Sequence, residues 1–367
     1  MRRSLTIATL VVRAVRNLAR VDLQAGPRFN VVAGDNGQGK TNLLEAVYVL
    51  ATSKSFRSSK PGELIAFGAA SASVRGVVLE AGDAREQMIG LSPGLRNARL
   101  DGKRPPSLVA YAVRTPAVVF HSGELALSTG SGGERRRLLD RLGLYLDPGA
   151  TDELASYTRA LRERQRALDT RGVGAGDLDQ WEELIVKHGL TVMASRREAA
   201  GRLARAAVVA FDQIALPGGE LDVSYRPSAP QEAAVYAATL RANRWLDARR
   251  RAAKVGPHRD ELFLGLGGRP VRGIASQGQH RAVVLALKSA EIEVIADARG
   301  VMPLLLLDDV SSELDRARTA ALFASLQRQQ GQVFLTTTRP ELIDTGTVAN
   351  GGDRVDFRVS GGVVTRA

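Results

Sequence analysis

The chain of 367 residues contains no cysteine. Disulfides, iron–sulfur clusters, thiolate-ligated zinc and cysteine nucleophiles are therefore excluded together, and the composition is compatible with a reducing compartment. Histidine is scarce too, at four residues, so a histidine-based metal centre is not expected. No apolar run reaches the ~18 residues that a membrane helix needs. The opening MRRSLTIATLVV briefly imitates a signal peptide, but Arg13 and Arg16 interrupt it and no small-residue cleavage site follows. A cytoplasmic protein with no membrane partner is the expectation. There is no repeat at fixed period and no low-complexity tract.

What is present is an ordinary globular composition, 44% hydrophobic and 25% charged, enough to bury a sizeable core. At roughly 150 residues per domain the length suggests two or three domains. The formal charge is +12, carried by 44 arginines and only seven lysines. Codon bias explains that as readily as an anionic partner, nucleic acid first among them. The excess is local, however. Residues 1–20 hold five arginines and no acid, and residues 241–260 hold six arginines and a lysine against two aspartates, whereas 131–210 is nearly balanced at 14 basic and 12 acidic residues.

Texture changes twice along the chain. Residues 1–33 read as strands, RFNVVAG (28–34) runs into a glycine-rich turn, and TNLLEAVYVLAT (41–52) has helical spacing in Leu43, Leu44, Val47 and Leu50. Residues 62–120 look β-rich. From about 131 the pattern becomes helical. Leu154, Tyr157, Leu161 and Leu168 form an a/d-like stripe over 151–171, RGVGAGD (171–177) is a hinge, and 181–216 is a second long helix. A helical hairpin and a compact bundle both fit. After about 255, helices 280–300 and 318–329 alternate with short apolar strands at 301–310 and 331–338, which indicates a mainly parallel sheet.

Three motifs carry chemistry. Gly34, Asp35, Asn36, Gly37, Gln38, Gly39, Lys40 and Thr41 match G-x-x-x-x-G-K-[ST] between a strand and a helix. Glycines let backbone N–H groups converge on phosphates, and the helix N-terminus adds its positive dipole end. Lys40 then reaches the β- and γ-phosphates, and Thr41 offers a hydroxyl to Mg²⁺. LLLLDDV (304–310) is a strand buried on both faces that delivers two acids to the sheet edge where α/β ligands bind. Asp308 is the expected Mg²⁺ carboxylate, and Asp309 the candidate to orient or deprotonate the attacking water. SQGQ (276–279) precedes a helix, so Ser276, Gly278 and Gln279 make either a second anion-binding turn or an ordinary N-cap. Arg135–Arg137 read as a DNA contact or as a charged outer helix face. His258 reads as structural or nucleotide-proximal.

These pieces in this order resemble an ABC-type ATPase. Gly34–Thr41 looks like its Walker A loop, Ser276–Gln279 its signature loop, Leu304–Asp309 its Walker B strand and Ser312–Asp315 its D-loop. The long helical interval between the two Walker motifs is unlike transporter subunits and resembles the SMC-like repair ATPases. Within them the chain is similar to the RecF family of bacterial DNA replication and repair proteins, through GDNGQGKTNLLEAVYVLATSKSFR (34–57), GSGGERRRLLD (130–140), VGPHRDE (255–261), SQGQHR (276–281) and LLLLDDVSSELD (304–315). It departs from that family at FHSGEL (120–125), which lacks an expected proline and acidic pair, at Gly132 in place of proline, and at Glu261 in place of aspartate. No glutamine is assigned to a Q-loop; Gln87 is the only one between 41 and 130.

The resemblance implies an α/β ATPase head split into 1–130 and 256–367 by a helical arm, 131–255. It also implies an ATP-dependent homodimer in which Lys40, Thr41 and Asp308 act in cis and Ser276 in trans. DNA at single-strand gaps or junctions would be bound, with RecO and RecR as partners in loading RecA. A DD pair where transporters carry glutamate sets the second carboxylate back by about a C–C bond and suggests slow turnover. Thr336–Thr338 end a strand where many such ATPases carry a phosphate-sensing histidine. The rival readings are a transporter's ATP-binding subunit and a non-catalytic ATP-gated DNA scaffold.

Overall fold

The computed structural model describes residues 2–214, 219–309, 331–343 and 353–367. Elements are numbered along the chain. The chain begins with β1 (Leu5–Val15), β2 (Leu18–Gln24), β3 (Phe29–Ala33), α1 (Lys40–Thr52), β4 (Ala72–Glu80), β5 (Asp83–Ser92), β6 (Leu95–Leu100), α2 (Leu108–Ala112) and β7 (Ala117–Phe120). It continues through α3 (Ala126–Thr129), α4 (Gly132–Leu146), α5 (Ala150–Arg171), α6 (Leu178–Ile214), β8 (Leu221–Arg226), α7 (Ala233–Ala242), α8 (Arg244–Arg250), β9 (Glu261–Leu266), β10 (Arg269–Pro270) and α9 (Gln277–Arg299). It closes with β11 (Leu304–Leu307), β12 (Val333–Thr337), β13 (Arg354–Ser360) and β14 (Val363–Arg366). The helix expected over 318–329 and the D-loop at Ser312–Asp315 lie outside the described residues.

Two compact units divide the chain: Met1–Glu124 with Ile295–Ala367, and Leu125–Val294. The division expected from the motifs, at 131 and 255, differs from this one mainly in residues 256–294, which fall in the second unit.

The first unit has two sheets. One is antiparallel in the order β2-β1-β4-β5-β6. Its strands alternate buried and partly exposed residues, as along β5, because one face meets the core and the other is less covered. The other has the order β14-β13-β3-β12-β11-β7. It is parallel throughout except for the β13–β14 hairpin, in line with the mainly parallel sheet expected from short apolar strands. AVVF of β7 and LLLL of β11 are buried at every residue. Helix α1 contacts strands of both sheets. Its apolar surface therefore extends beyond the stripe seen in the sequence: Tyr48 and Val49 are buried as well as Leu43, Leu44, Val47 and Leu50. Each such aliphatic contributes ~2 kcal/mol by leaving water, so the helix that follows the phosphate loop is fixed in place.

In the second unit α5 and α6 pack against each other as a hairpin, with α4 and α7 also packed on α6. Tyr157 and Leu168 of the stripe are buried, and Leu154 and Leu161 are partly buried against the cluster around Ile185 and Val192. The three-stranded sheet β10-β9-β8 lies in the same unit.

Candidate active site

Strand β3 is parallel to β12, and β12 to β11, so the carboxyl ends of all three lie at one sheet edge. Two strand spacings, about 10 Å, separate the end of β3 from that of β11. The loop 34–39 leaves β3 there, Asp308 and Asp309 leave β11 there, and Thr336 sits on the intervening strand.

The geometry joins motifs distant in sequence. The Thr41 hydroxyl donates to Asp308 Oδ1 at 2.8 Å across 267 residues. Thr336 Oγ1 donates to the same oxygen at 2.9 Å and accepts the Asp309 backbone N–H at 2.9 Å. Thr336 thus positions both acids, a role that a lone threonine at a strand end does not announce. Asp309 takes φ +50°, a left-handed backbone that aspartate tolerates better than most residues. The Lys40 ammonium is buried and donates to the carbonyls of Gly34 and Asp35 at 2.7 and 2.8 Å. Asn36 and Gly37 form the exposed crest of the loop.

Glycine is required at two places. A Cβ on Gly34 would collide with the backbone carbonyl of Val359, and Gly39, at φ +117° before α1, would put one 2.7 Å from Asn17 Oδ1. The loop is anchored from outside by residues with no motif signal. Asn17, in the β1–β2 turn, donates to Gln38 O at 3.0 Å, as does the Gly362 N–H at 3.0 Å, and Gly361 N–H donates to Gln38 Oε1 at 2.6 Å. Gln38 is thereby tied to the β13–β14 turn. One turn along α1, the fully buried Glu45 accepts a two-pronged pair from Arg16 at 2.9 and 3.0 Å, together with the Ser55 hydroxyl, and Arg57 lies 3.6 Å away. None of these was predicted, because each contact joins separate elements.

The donor set fits a magnesium–nucleoside triphosphate. A hydroxyl and a carboxylate are the hard oxygen ligands that Mg²⁺ selects, and the buried ammonium beside a glycine-lined loop suits phosphate. Among the described residues no group of three or more His, Asp or Glu is placed to hold a metal ion.

The serine turn belongs to the second unit and is described within it. Ser276 and Gln279 form a reciprocal capping box at the start of α9: Ser276 N–H donates to Gln279 Oε1 at 2.8 Å, and Gln279 N–H to Ser276 Oγ at 3.3 Å. Gly278 lies in the first turn. His280 Nδ1 lies 3.0 Å from Ser128 Oγ, and burial lowers its pKa.

One reading is corrected here and another is narrowed. Arg135 is neither an outer-face residue nor available for DNA. It is buried and forks onto Glu261 at 2.6 and 2.9 Å, while also donating to Leu127 O and Gly130 O. Arg136 donates to Asp260 O, and only Arg137 is exposed, paired with Glu134. Glu261, unusual by resemblance, is thus the partner that holds Arg135. His258 is structural within its unit: Nδ1 meets Tyr157 OH at 2.6 Å and Nε2 meets Ala253 O at 3.0 Å. Gln87 is buried and bonded to Thr115, consistent with no Q-loop assignment.

Comparison with known proteins decides the family. The family model described as the RecF/RecN/SMC N terminal domain matches residues 6–355. The chain is 42% identical to the DNA replication and repair protein RecF of Anaeromyxobacter sp. strain Fw109-5, over 98% of both chains. The chain belongs to the RecF family. RecF of Geobacter sulfurreducens is 39% identical over 97% of this chain and 98% of its own. A solved structure of the recombination mediator RecF with ATP superposes with a TM-score of 0.87 at 27% identity, covering 100% of this chain and 99% of that one. An Smc head bound to a ScpA domain matches at a TM-score of 0.56 and 16% identity, over 98% of this chain and 96% of that one. That likeness shows the shared ATPase-head fold. The α/β ABC-type fold and the place among SMC-like DNA replication and repair ATPases, read first from three motifs, therefore hold.

Proposed function

We propose that this RecF-family chain is a slow, DNA-stimulated ATPase whose ATP-bound form dimerises and grips DNA at single-strand gaps or junctions. The observation that carries this reading is the meeting of Thr41 and Asp308 at 2.8 Å beside the buried Lys40. Lys40 and the loop N–H groups of 35–41 would hold the phosphates, and Thr41 and Asp308 would hold Mg²⁺, which when bound neutralises charge on the phosphate oxygens. Asp309 would orient or deprotonate the attacking water, with its backbone fixed through Thr336. Ser276, Gly278 and Gln279 of a second copy would close over the γ-phosphate. Its loss on hydrolysis then releases the interface, coupling ATP to the shape offered to DNA.

In keeping with the relatives' role as a recombination mediator in the RecFOR pathway, RecO and RecR are the proposed partners, acting to load RecA. The absence, among the described residues, of any helix long and apolar enough to cross a membrane is compatible with a cytoplasmic setting.

The test is ATPase activity with and without duplex DNA, and oligomeric state with and without ATP, for the wild type and Lys40→Arg. We expect a basal rate below the ~10 s⁻¹ typical of metabolic enzymes, stimulation by DNA, and ATP-dependent dimers, all lost in Lys40→Arg. Turnover indifferent to DNA in a protein that stays monomeric with ATP would favour a transporter subunit or a scaffold instead.

A further inference from the structure

The second unit carries a charged cluster that the nucleotide site does not use. The basic stretch 241–260 divides in two. Arg244 is neutralised by Asp179 and Glu182, both at 2.6 Å, and Arg241 lies 3.3 Å from Asp179. Arg249, Arg250, Arg251 and Lys254, by contrast, are all exposed, and none has an acidic partner among the described residues. Asp247, the one acid in their midst, is buried and occupied: it accepts from Arg164 Nη1 at 2.8 Å and from the Lys254 N–H at 3.1 Å.

A basic last turn is expected at any helix C-terminus. Two further features are not. Helix α8 ends in a Schellman turn, with Arg251 N–H bonded to Ala248 O at 3.3 Å and Ala252 N–H to Asp247 O at 3.2 Å. The left-handed residue of that turn, φ +51°, is Arg251. Glycine is the usual occupant because any side chain is disfavoured there, so an arginine at this point trades stability for a cation directed outward. The second feature is Trp245, 61% exposed, with the Arg249 guanidinium 5.4 Å from its ring centroid. The other tryptophan, Trp181, is half-buried and donates to Asp177 at 3.0 Å. The platform is rigid beneath: Ala248 packs against Ala167, Leu168 and Leu178 of the helical hairpin.

Clustered cations beside an exposed indole are what a strand with unpaired bases recognises, phosphates by charge and a base by stacking. We propose that the end of α8 is a DNA contact: Arg250, Arg251 and Lys254 take backbone phosphates, and Trp245, with Arg249 beside it, stacks on an unpaired base where duplex gives way to single strand. This surface rests on the DNA-binding reading above and specifies where that binding occurs.

The experiment measures binding of gapped, single-stranded and blunt duplex DNA against salt, with ATP present, and of phosphatidylserine vesicles, for the wild type, R250A/R251G/K254A and W245A. Glycine at 251 suits the turn, and thermal unfolding verifies that each variant folds. The triple variant should lower the slope of log K against log[salt] by about 2 to 3. W245A should weaken gapped and single-stranded DNA about 5- to 100-fold and blunt duplex less than about twofold. Wild-type binding with unchanged slope and affinity in both variants overturns this surface while the DNA-binding reading stands. No DNA binding by the wild type overturns both. A loss confined to phosphatidylserine vesicles assigns the patch to lipid and overturns the proposal as well.

Discussion

Charge is buried in both units of this chain and is mostly neutralised, as Glu45 is by Arg16, but at the phosphate site of the first unit it is not. In the second unit Arg164 is fully buried with every nitrogen engaged: Nε on Glu182 at 2.9 Å, Nη1 on Asp247 at 2.8 Å, and Nη2 on Leu240 O at 2.9 Å. Arg196 forks onto Asp140 and also meets Asp260. Glu291 lies between Arg141 and Lys288. In the first unit Lys40 is buried yet meets only carbonyls, and Asp308 accepts from hydroxyls. Among the described residues neither has a counter-charge within ion-pair distance. A closed network serves the fold, since removing one member strands its partner. An open site, with an unpaired cation and an unpaired carboxylate at one sheet edge, is suited to hold an anion and a metal ion.

The largest expected effects separate these two states. Arg164→Ala leaves Glu182 and Asp247 without their shared cation and should cost about 3–5 kcal/mol in urea unfolding. Lys40→Ala should lower kcat by about 10²–10³, the loss seen when one fixed electrostatic stabiliser is removed, while shifting unfolding by less than ~1 kcal/mol, because its present contacts are to neutral carbonyls. If Lys40→Ala proved as destabilising as Arg164→Ala, the distinction between closed and open burial would be lost.

The open site was readable in the sequence and the closed networks were not, for a physical reason. A phosphate loop needs glycines, lysine and threonine at fixed spacing within eight residues, and a doubly buried strand must be a continuous apolar run, so both leave local patterns. Ion networks leave none: Arg164 finds Asp247 across 83 residues and Arg196 finds Asp260 across 64. The N-terminal arginines show the same limit. Their excess resembled a DNA grip, yet all five have acidic partners: Arg2 with Asp297, Arg3 with Glu80, Arg13 and Arg20 with Asp22, and Arg16 with Glu45. Arg135 is a different case, since the signal was there. It stands three, four and seven residues before Leu138, Leu139 and Leu142, on the buried face of α4, and a run of three arginines obscured that periodicity.

A smaller effect should appear with pH, in two windows. Burial lowers the His258 pKa below 6.5. The unfolded chain therefore takes up a proton as pH falls below that value while the folded chain resists, and stability declines from there. Unfolding free energies at pH 8 and pH 5.5 should differ more in the wild type than in His258→Gln. Glu291 acts lower. Burial alone would raise its pKa, but Arg141 and Lys288 outweigh it and hold the carboxyl at about 2. Its contribution is whole above the unfolded value of 4.5 and is lost as pH falls toward 2. In Glu291→Gln this acid limb should be shallower.

The smallest effect concerns two arginines that composition cannot tell apart. Arg20 is exposed and lies 2.9 Å from Asp22, which Arg13 also holds at 3.0 Å. Such a pair is screened by water and salt, and its charge is partly offset by the carboxylate it shares with Arg13. Arg20→Ala should therefore leave both Tm and the salt slope of DNA binding where they are. Arg250→Ala removes a cation with no such offset and should lower the slope by about 0.7 to 0.9. Equal slopes in the two variants would mean that local neutralisation does not decide which arginines meet DNA, and the contrast between paired and unpaired surface charge would fail along with the assignment of α8.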